Sequence, residues 1–254
     1  MDSQNPVLPG IERINLLRVP LDILPPEQIA DTIAAILQTD TEQQIVLLSL
    51  RDLLRARRNN EYRQYVLNAA LVLPISKSLI GGAHFLTGKT PIRYMPFDFV
   101  VKVLNALETR NRSVYLIGAR KRSLQTAERN IRYTFPGTRI VGRCTGWFHR
   151  QEEANILQAI KKSSPSLLLI GRGVPGDERW IERNKGAFGS GIQLWCSDLF
   201  DVFAERKKRP SRAVFDRGFE GIILCARFPW RIIRIFPYIY YKLLILFYRL
   251  FRRG

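Results

Sequence analysis

Short runs of apolar residues alternate along this chain with segments in which apolar residues recur every three or four positions. The first pattern predicts buried strands and the second predicts amphipathic helices. Strands are predicted at seven places, namely 14–23, 45–48, 71–73, 114–117, 139–143, 167–170 and 192–196. Helices are predicted after Pro25 and after Ser211, and at 53–68, 97–108, 123–133, 151–161 and 178–185. The pair Gly81-Gly82 predicts a break between elements.

Strand and helix follow one another in turn through most of the chain, which is typical of βαβ units. Such units build a mostly parallel sheet with helices on both faces, so the predicted fold is α/β and Rossmann-like. A length of 254 residues suffices for one large α/β domain. The composition changes near Arg206, and the chain is therefore divided into an α/β domain, 1–205, and a basic, aromatic appendage, 206–254.

The charge of the chain is strongly positive and lies mainly at its end. There are 40 Lys and Arg residues against 22 Asp and Glu, a net charge of +18, and thirteen of these cations but only two acids lie from Arg206 onwards. A field of this sign favours polyanionic partners such as phosphorylated substrates, anionic lipid or nucleic acid. Three cysteines without a C-x-x-C pair, and two histidines, predict neither disulfides nor a metal site. No cofactor is expected, and the first residues show no secretory signal pattern.

The end of the chain, 227–254, mixes aromatic residues with Arg and Lys. Its longest uncharged run is seven residues, Ile235 to Tyr241, whereas a membrane span needs about 20 apolar residues. An interfacial helix on an anionic membrane surface is the favoured interpretation. Its predicted membrane contacts are Trp230, Arg231, Arg234, Tyr238, Tyr241, Lys242 and Arg249. A helix buried against the domain or against a partner subunit, and a nucleic-acid-binding segment, are the alternatives.

Glycines follow two of the predicted strands. Gly118 comes after 114–117, and Gly171 and Gly173 come after 167–170. Ligands of open α/β sheets bind beyond the carboxyl ends of the strands, where glycines let backbone N–H groups approach phosphates. The same glycines also suit simple turns, and the sequence leaves both roles open.

Several motifs together resemble the TagA/WecG/CpsF glycosyltransferase family over about 14–229. The stretch from Pro165 to Ile181, PSLLLIGRGVPGDERWI, is similar to the family's P-D-L-L-L-V-G-L-G-x-P-x-Q-E-x-W-I. The stretch 136–142 with Gly146-Trp147-Phe148 resembles its P-G-x-x-I-V-G and G-Y/W-F, and Arg93 with Asp98 resembles R-x-x-G-x-D. The pattern F-D…K-R…G-x-E…P is matched by Asp201, Arg209, Gly218, Glu220 and Pro229.

This resemblance implies an inverting, metal-independent transfer of an N-acetylhexosamine from UDP to a sugar on a polyprenyl diphosphate. The implied partners are a UDP-sugar donor, a lipid-linked acceptor and the cytoplasmic face of a bacterial plasma membrane, and a homo-oligomer stays open. The residues expected to bind the nucleotide-sugar are Arg93, Gly118, Gly146, Gly171, Gly173, Pro175, Asp177, Glu178 and Asp201. The candidates for binding its diphosphate are Arg206, Lys207, Arg209, Arg212 and Arg217.

The chain departs from the family pattern on the acceptor side. The family's P-D-G, whose aspartate is the expected base, is Pro74-Ile75-Ser76 here, and its T-x-N-P-E is Leu47-Leu-Ser-Leu-Arg51. Isoleucine accepts no proton, so Asp52, His84 and Asp98 are the substitute candidates, with Asp98 preferred because it falls in a family motif. The second hypothesis is a non-catalytic scaffold or regulatory subunit of envelope-polysaccharide assembly. The third is a nucleic-acid-binding protein, which is not favoured because no nucleic-acid-binding motif is visible.

Overall fold

The computed structural model of the protein describes residues 10–58, 60–209, 211–218 and 236–251. Its strands are β1 (Glu12–Leu16), β2 (Val19–Ile23), β3 (Glu42–Leu48), β4 (Leu71–Pro74), β5 (Ser113–Ile117), β6 (Arg139–Cys144), β7 (Leu167–Ile170) and β8 (Gly191–Trp195). Its α-helices are α1 (Ile29–Leu37), α2 (Leu50–Ala56), α3 (Glu61–Leu67), α4 (Lys77–Thr87), α5 (Pro96–Glu108), α6 (Lys121–Thr134), α7 (Arg150–Ser163), α8 (Arg179–Arg183), α9 (Leu199–Phe203), α10 (Arg212–Arg217) and α11 (Phe236–Phe251). A short 3-10 turn, Pro26–Gln28, leads into α1.

Six strands form the main sheet in the order β4-β3-β8-β7-β5-β6, and every neighbouring pair is parallel. Successive residues of a strand alternate between the two faces of the sheet. In β5, Val114 and Leu116 join one hydrophobic cluster, whereas Tyr115 and Ile117 join the other. The first cluster lies under α1, α5, α6 and α9, and the second under α2, α3, α4, α8 and α11. The predicted α/β fold with helices on both faces of a parallel sheet is confirmed.

The first predicted strand, 14–23, is wrong as a single element, because it is the antiparallel hairpin β1–β2. Leu17 and Arg18 form its two-residue turn with φ of 53° and 70°. A tight hairpin needs left-handed φ at both central residues, which Asn or Gly usually supplies. Leu17 and Arg18 therefore carry no turn signal. Asp22 of this hairpin pairs with Arg13 at 2.6 Å and accepts a hydrogen bond from Val72 N at 2.6 Å, which covers the edge of β4.

Two further predictions, one of a helix and one of a break between elements, also need correction. The segment 53–68 is two helices, α2 and α3, because Asn60 starts the second one by accepting a hydrogen bond from Arg63 N at 2.9 Å. Gly81 and Gly82 lie inside α4 and do not break it. Gly82 is buried where α11 crosses α4, and a Cβ at this position would overlap the ring of Tyr241. The lack of a side chain at Gly82 therefore allows α4 and α11 to pack closely.

The other predicted strands and helices of the sheet region are confirmed to within a few residues. Beyond β8 the chain forms α9, passes through the basic segment 206–209, and forms α10. The division of the chain at 205/206 stays a prediction.

Candidate functional site

Three glycine-containing loops meet at the carboxyl ends of β5, β6 and β7. Ala119 N donates to Arg172 O at 2.7 Å, Gly146 N to Ala119 O at 2.9 Å, and Trp147 N to Gly173 O at 2.6 Å. A Cβ on Gly118, whose φ is +122°, would lie 2.7 Å from the carbonyl carbon of Gly171. The loops after these three strands are therefore one interlocked unit, and four predicted site glycines (118, 146, 171 and 173) belong to it.

The N–H groups of these glycines mostly donate hydrogen bonds to backbone carbonyl oxygens of the same loops and strands. Gly118 N donates to Cys144 O at 3.0 Å, and Gly171 N donates to Ile117 O at 2.8 Å. Together with the Gly146 bond, three of the four amides are thus engaged within the protein. Of the two roles that the sequence left open, a turn is the one that suits Gly118, whose φ is +122° and whose Cβ would meet the Gly171 backbone. Gly171 leaves room for the Phe200 ring, which a Cβ at this position would approach to 2.5 Å.

A groove of about 360 Å³ opens beside this unit, lined by Arg120, Lys121, Thr145, Gly146 and Trp147. The Trp147 side chain is 56% exposed, and the Arg120 guanidinium lies 5.9 Å from its ring centroid. The groove also meets the N-terminus of α6, where helix N–H groups and the helix dipole favour anions. An exposed indole beside two cations suits a flat, negatively charged ligand such as a nucleotide.

The basic segment after α9 turns back onto the carboxyl edge of the sheet. Arg206 N and Lys207 N both donate to Asp201 O, at 2.9 and 3.1 Å, and Arg206 Nη1 donates to Ser123 Oγ at 3.1 Å. Lys207 pairs with Asp198. The structure thus places Arg206 and Lys207, two of the predicted diphosphate ligands, beside the start of α6 and the loop that follows β8.

Arg172 joins the same cluster from the loop after β7. Its Nη2 lies 2.9 Å from Asp198 Oδ1, so Asp198 carries two cations, Arg172 and Lys207. Cations that converge from separate loops onto one carboxylate form a compact positive patch with a net surplus of charge. Such a patch attracts a diphosphate, which presents more negative charge than one carboxylate.

A second cationic group lies at the β4 end of the site. Arg209 Nη1 lies 3.1 Å from Asp98 Oδ1, and its guanidinium stacks 4.7 Å from the Phe97 ring centroid. Arg93 donates through Nε to Ile75 O at 2.9 Å and through Nη1 to Phe215 O, which brings α10 over this end of the sheet. Arg93 is therefore bonded to position 75, whereas Asp98 and Arg209 are paired with each other at the start of α5, which follows Tyr94, whose N donates to Pro74 O at 3.0 Å. The side chains of Arg212 and Arg217 in α10 are exposed.

Position 75 itself carries no proton acceptor in its side chain. Ile75 is half-buried, its N donates to Leu48 O at 2.9 Å, and Ser76 Oγ accepts from Leu50 N at 3.1 Å. The ends of β3 and β4 are thus bonded side by side, which sets Ser49 next to Ile75. Any carboxylate that replaces the family aspartate must reach this point from another element.

Asp52 lies closest to this point along β3 and α2. Its Oδ2 accepts from Ser49 N at 3.1 Å and contacts Ser49 Oγ, forming a capping box at the start of α2. Burial raises the pKa of the Asp52 carboxyl above its ordinary value, against the hydrogen bonds from Ser49. His84, by contrast, is exposed toward the end of α4, where its Nδ1 lies 3.2 Å from Thr90 Oγ1. The seven residues that separate it from Lys77 correspond to about 10 Å of helix, which removes it from the carboxyl edge.

The predicted residues 175–178 leave the edge after Gly173. Pro175 is exposed, and Asp177 has a left-handed φ of 55° that starts the turn into α8. Glu178 Oε1 lies 2.8 Å from Arg55 Nη1 in α2. Burial, with the nearby Asp52 charge as a smaller cause, raises the pKa of Glu178. Glu178 is thus held on the α2 face of the sheet, opposite α5 and Asp98, which leaves its predicted donor contact without support from this arrangement.

Helix α11 packs one side on α4 and exposes the other. Tyr241 is buried and donates to Ser78 O at 3.1 Å, and Arg249 donates to Phe85 O and stacks on its ring. Tyr241 therefore faces the domain, contrary to the prediction that it contacts a membrane. Tyr238 and Lys242 are exposed, and Trp230, Arg231 and Arg234 lie outside the described residues. Within the described ranges, no helix combines the length and apolar character that a membrane crossing requires.

Sequence reasoning missed four residues of this site. They are Arg120, Lys121, Arg172 and the side chain of Trp147. Arg120 and Lys121 follow the predicted strand that Gly118 ends, and Arg172 stands between Gly171 and Gly173. The rule that ligands bind beyond the carboxyl ends of parallel strands, applied to side chains as well as to glycines, would have selected all of them.

The chain is similar to known proteins of one family. The family model described as "Glycosyl transferase WecG/TagA/CpsF family" matches residues 14–254. A Bacillus subtilis (strain 168) protein named N-acetylglucosaminyldiphosphoundecaprenol N-acetyl-beta-D-mannosaminyltransferase is 20% identical over 226 residues, which cover 89% of this chain and 84% of that protein.

Proteins of the same name give shorter matches of 154 residues, or 61% of this chain. The one from Bacillus spizizenii is 23% identical and the one from Staphylococcus aureus (strain NCTC 8325) is 21% identical. The chain spans 59% and 60% of their lengths, respectively. With a family match over nearly its full length and the expected sheet beneath it, this chain belongs to the WecG/TagA/CpsF family of glycosyl transferases.

Proposed function

We propose that this chain transfers an N-acetylhexosamine from a UDP-sugar to a sugar carried on a polyprenyl diphosphate. One observation carries the proposal within the family: cations from the loop after β7 and from the segment after α9 meet the glycine loops at the carboxyl edge. Arg172 and Lys207 share Asp198, and Arg206 reaches the start of α6. This patch suits a nucleoside diphosphate, and the Trp147 groove beside it suits the base.

The reaction in this proposal is a single displacement at the anomeric carbon of the donor sugar. A hydroxyl oxygen of the acceptor forms the new bond to that carbon, the bond from the carbon to the diphosphate oxygen breaks, and UDP leaves with the electron pair. Arg206, Lys207 and Arg209 stabilise the charge that develops on the diphosphate. The proton of the acceptor hydroxyl goes to a carboxylate.

Asp98 is the carboxylate that we assign to this proton. It stands five residues after Arg93, which holds the main chain of Ile75, and its side chain is 46% exposed, so an acceptor hydroxyl has access to it. Asp52 is the second candidate on the other side of position 75, held in its capping box. The role of Pro175, Asp177, Glu178 and Asp201 toward the donor stays a prediction.

The site of action that we propose is the cytoplasmic face of the plasma membrane. Support comes from the exposed face of α11, on which Leu243, Phe247, Leu250 and Phe251 are each more than half exposed while Lys242 adds charge. Apolar side chains with a flanking cation suit the headgroup region of an anionic bilayer.

The test is acceptor-dependent release of UDP from UDP-N-acetylhexosamines by the full chain on anionic liposomes that contain the lipid-linked acceptor. Ile75→Asp restores the family residue beside Ser49 and should raise the rate. A second function, a non-catalytic scaffold, is favoured by one observation, the isoleucine at position 75. The scaffold hypothesis predicts that the natural chain and the Ile75→Asp variant both bind UDP. Neither of them would transfer the sugar of a UDP-sugar and so produce free UDP.

A further inference from the structure

A groove of about 500 Å³ separates α2 from α11, away from the glycine loops. It is lined by Leu54, Arg57, Arg58, Phe236, Pro237 and Tyr240. Phe236 and Tyr240 are 67% and 54% exposed, so this groove, hereafter the α2–α11 groove, has large apolar side chains open to solvent. Its polar side is formed by the two adjacent arginines at the end of α2.

These arginines differ from their neighbour Arg55 in how their charge is compensated. Arg55 pairs with Glu178 and stacks on Tyr62 at 4.4 Å. Within the described ranges, neither Arg57 nor Arg58 lies within ion-pair distance of a carboxylate, and Arg57 contacts the Tyr248 ring at 5.7 Å. Two adjacent guanidinium groups without a counter-ion from the described residues, set against an apolar wall, are complementary to an amphiphile with a phosphate head.

Helix α2 runs from the neighbourhood of Ile75 to this groove. Helix α2 begins at Leu50, whose N–H bonds Ser76 Oγ beside Ile75, and it ends at Ala56, directly before the two arginines. Its seven residues correspond to about 10 Å. A ligand whose phosphates lie at Arg57 and Arg58 can thus extend a sugar along α2 toward the carboxyl edge.

The apolar wall continues along α11 in the other direction. Leu243 and Phe247 follow Tyr240 at spacings of three and seven residues, which puts them on the same side of the helix, and they are 62% and 52% exposed. A hydrocarbon chain leaving the groove would follow this face. The charged end, the apolar wall and the direction of α2 all match one ligand.

We infer that the α2–α11 groove binds the diphosphate and the first isoprene units of the lipid-linked acceptor, which rests on the proposed function for the identity of that acceptor. Arg57 and Arg58 hold the phosphates, and Phe236, Pro237 and Tyr240 hold the start of the chain. The acceptor then has a phosphate site of its own, separate from the cations that bind the donor diphosphate.

The test is calorimetric titration of farnesyl diphosphate, a short soluble probe, into full-length protein saturated with UDP, which occupies the donor site. The variant Arg57→Ala/Arg58→Ala is compared with Lys102→Ala/Arg129→Ala, which removes two exposed cations from α5 and α6 on the other face of the sheet. Arg57→Ala/Arg58→Ala should weaken farnesyl diphosphate binding by about tenfold or more, as expected for lost charge-assisted hydrogen bonds, and the control should not. Arg58→Ala alone, at an exposed residue, should give a smaller loss in the same direction.

Two further probes identify the occupant. Inorganic diphosphate should bind more weakly than farnesyl diphosphate, because it lacks the apolar part, and dihexanoyl phosphatidylglycerol should not displace farnesyl diphosphate. Equal binding of farnesyl diphosphate by Arg57→Ala/Arg58→Ala overturns the inference, and displacement by the phosphatidylglycerol overturns the acceptor assignment in favour of a general lipid headgroup site. The UDP titration of the same samples distinguishes failure of the proposed function from failure of the groove inference. A natural chain that does not bind UDP counts against the proposed function. A natural chain that binds UDP, but whose farnesyl diphosphate binding does not change in Arg57→Ala/Arg58→Ala, counts against the groove inference alone.

Discussion

Arg209 Nη1 lies 3.1 Å from Asp98 Oδ1, so the two residues assigned to the leaving group and to the acceptor proton are paired with each other. Both side chains are about half exposed, and a pair of this kind is held by only about 0–1 kcal/mol. A diphosphate carries more charge than one carboxylate and draws Arg209 away from Asp98. We therefore expect donor binding to release Asp98 from Arg209.

Asp98→Asn tests this coupling. The amide accepts no proton at neutral pH, so the transfer rate should fall by about 10²–10⁴-fold. The affinity for UDP should stay unchanged or rise, because Arg209 loses a competing partner. The measurements are UDP release and calorimetric titration of UDP. Asp216→Asn, at an exposed aspartate of α10, is the control. An unchanged rate in Asp98→Asn would shift the assignment to Asp52.

Trp147→Ala tests the nucleotide groove. Stacking of a base on an aromatic ring is worth about 1–3 kcal/mol, so the affinity for UDP should fall by about tenfold, whereas the affinity for inorganic diphosphate should not change. Tyr133→Ala, at an aromatic residue of α6 that is 89% exposed, is the matched control and should bind both ligands normally. Loss of both ligands in Trp147→Ala would indicate a damaged fold, and loss of neither would exclude Trp147 as the stacking surface.

Gly82→Ala tests the packing of α11 on α4. The new Cβ meets the Tyr241 ring and lies 3.1 Å from Ile245 Cδ1, and such overpacking costs about 1–3 kcal/mol. The free energy of unfolding should fall, and protease cleavage within α11 should become faster. Gly81→Ala has open space around its Cβ and should stabilise α4 by about 0.5–1 kcal/mol. Equal behaviour of the two variants would contradict the docking of α11 seen here.

The pair Asp52 and Glu178 predicts a pH dependence of stability. Burial raises the pKa of both carboxyls above their ordinary values of 3.8 and 4.5, so above those values the native chain holds more protons than the unfolded chain. The free energy of unfolding therefore falls as pH rises from the ordinary toward the raised pKa values. The variant Asp52→Asn removes the titration of Asp52 and the effect of the Asp52 charge on Glu178. The free energy of unfolding of this variant minus that of the natural chain should increase as pH rises. Urea unfolding at pH values between about 4 and about 8 measures this difference. A constant difference would show that the titration of Asp52 does not contribute to the pH dependence.

How far the sequence predicts this protein differs between its parts. The strands of the parallel sheet are short, uniformly apolar runs, and their positions follow from that pattern with an accuracy of a few residues. The hairpin at Leu17 and Arg18 is not predictable in this way, because its turn uses left-handed φ at residues that rarely adopt it. The need for glycine at position 82 is not predictable either, because it comes from contact with Tyr241, 159 positions further along the chain.

The candidate site shows the same division. The glycines after the strands and the basic segment after α9 are visible in the sequence, and the structure brings Arg206 and Lys207 to the loops as the pattern suggests. The pairing of Arg209 with Asp98, and of Glu178 with Arg55, depends on which helices face each other across the sheet. Such contacts are long-range, and the periodicity of a single sequence contains no information on them.

We propose that the basic segment after α9 and the glycine loops form a binding site for a UDP-sugar. Calorimetric titration of UDP and UDP-N-acetylhexosamines into the full chain on anionic liposomes tests it most directly, with Arg209→Ala compared against Lys208→Ala, the neighbouring exposed lysine. We expect micromolar binding that weakens by about tenfold in Arg209→Ala, as expected for one lost charge-assisted contact, and stays unchanged in Lys208→Ala. Folded, lipid-bound protein that does not bind UDP, or binds it equally in both variants, would contradict it.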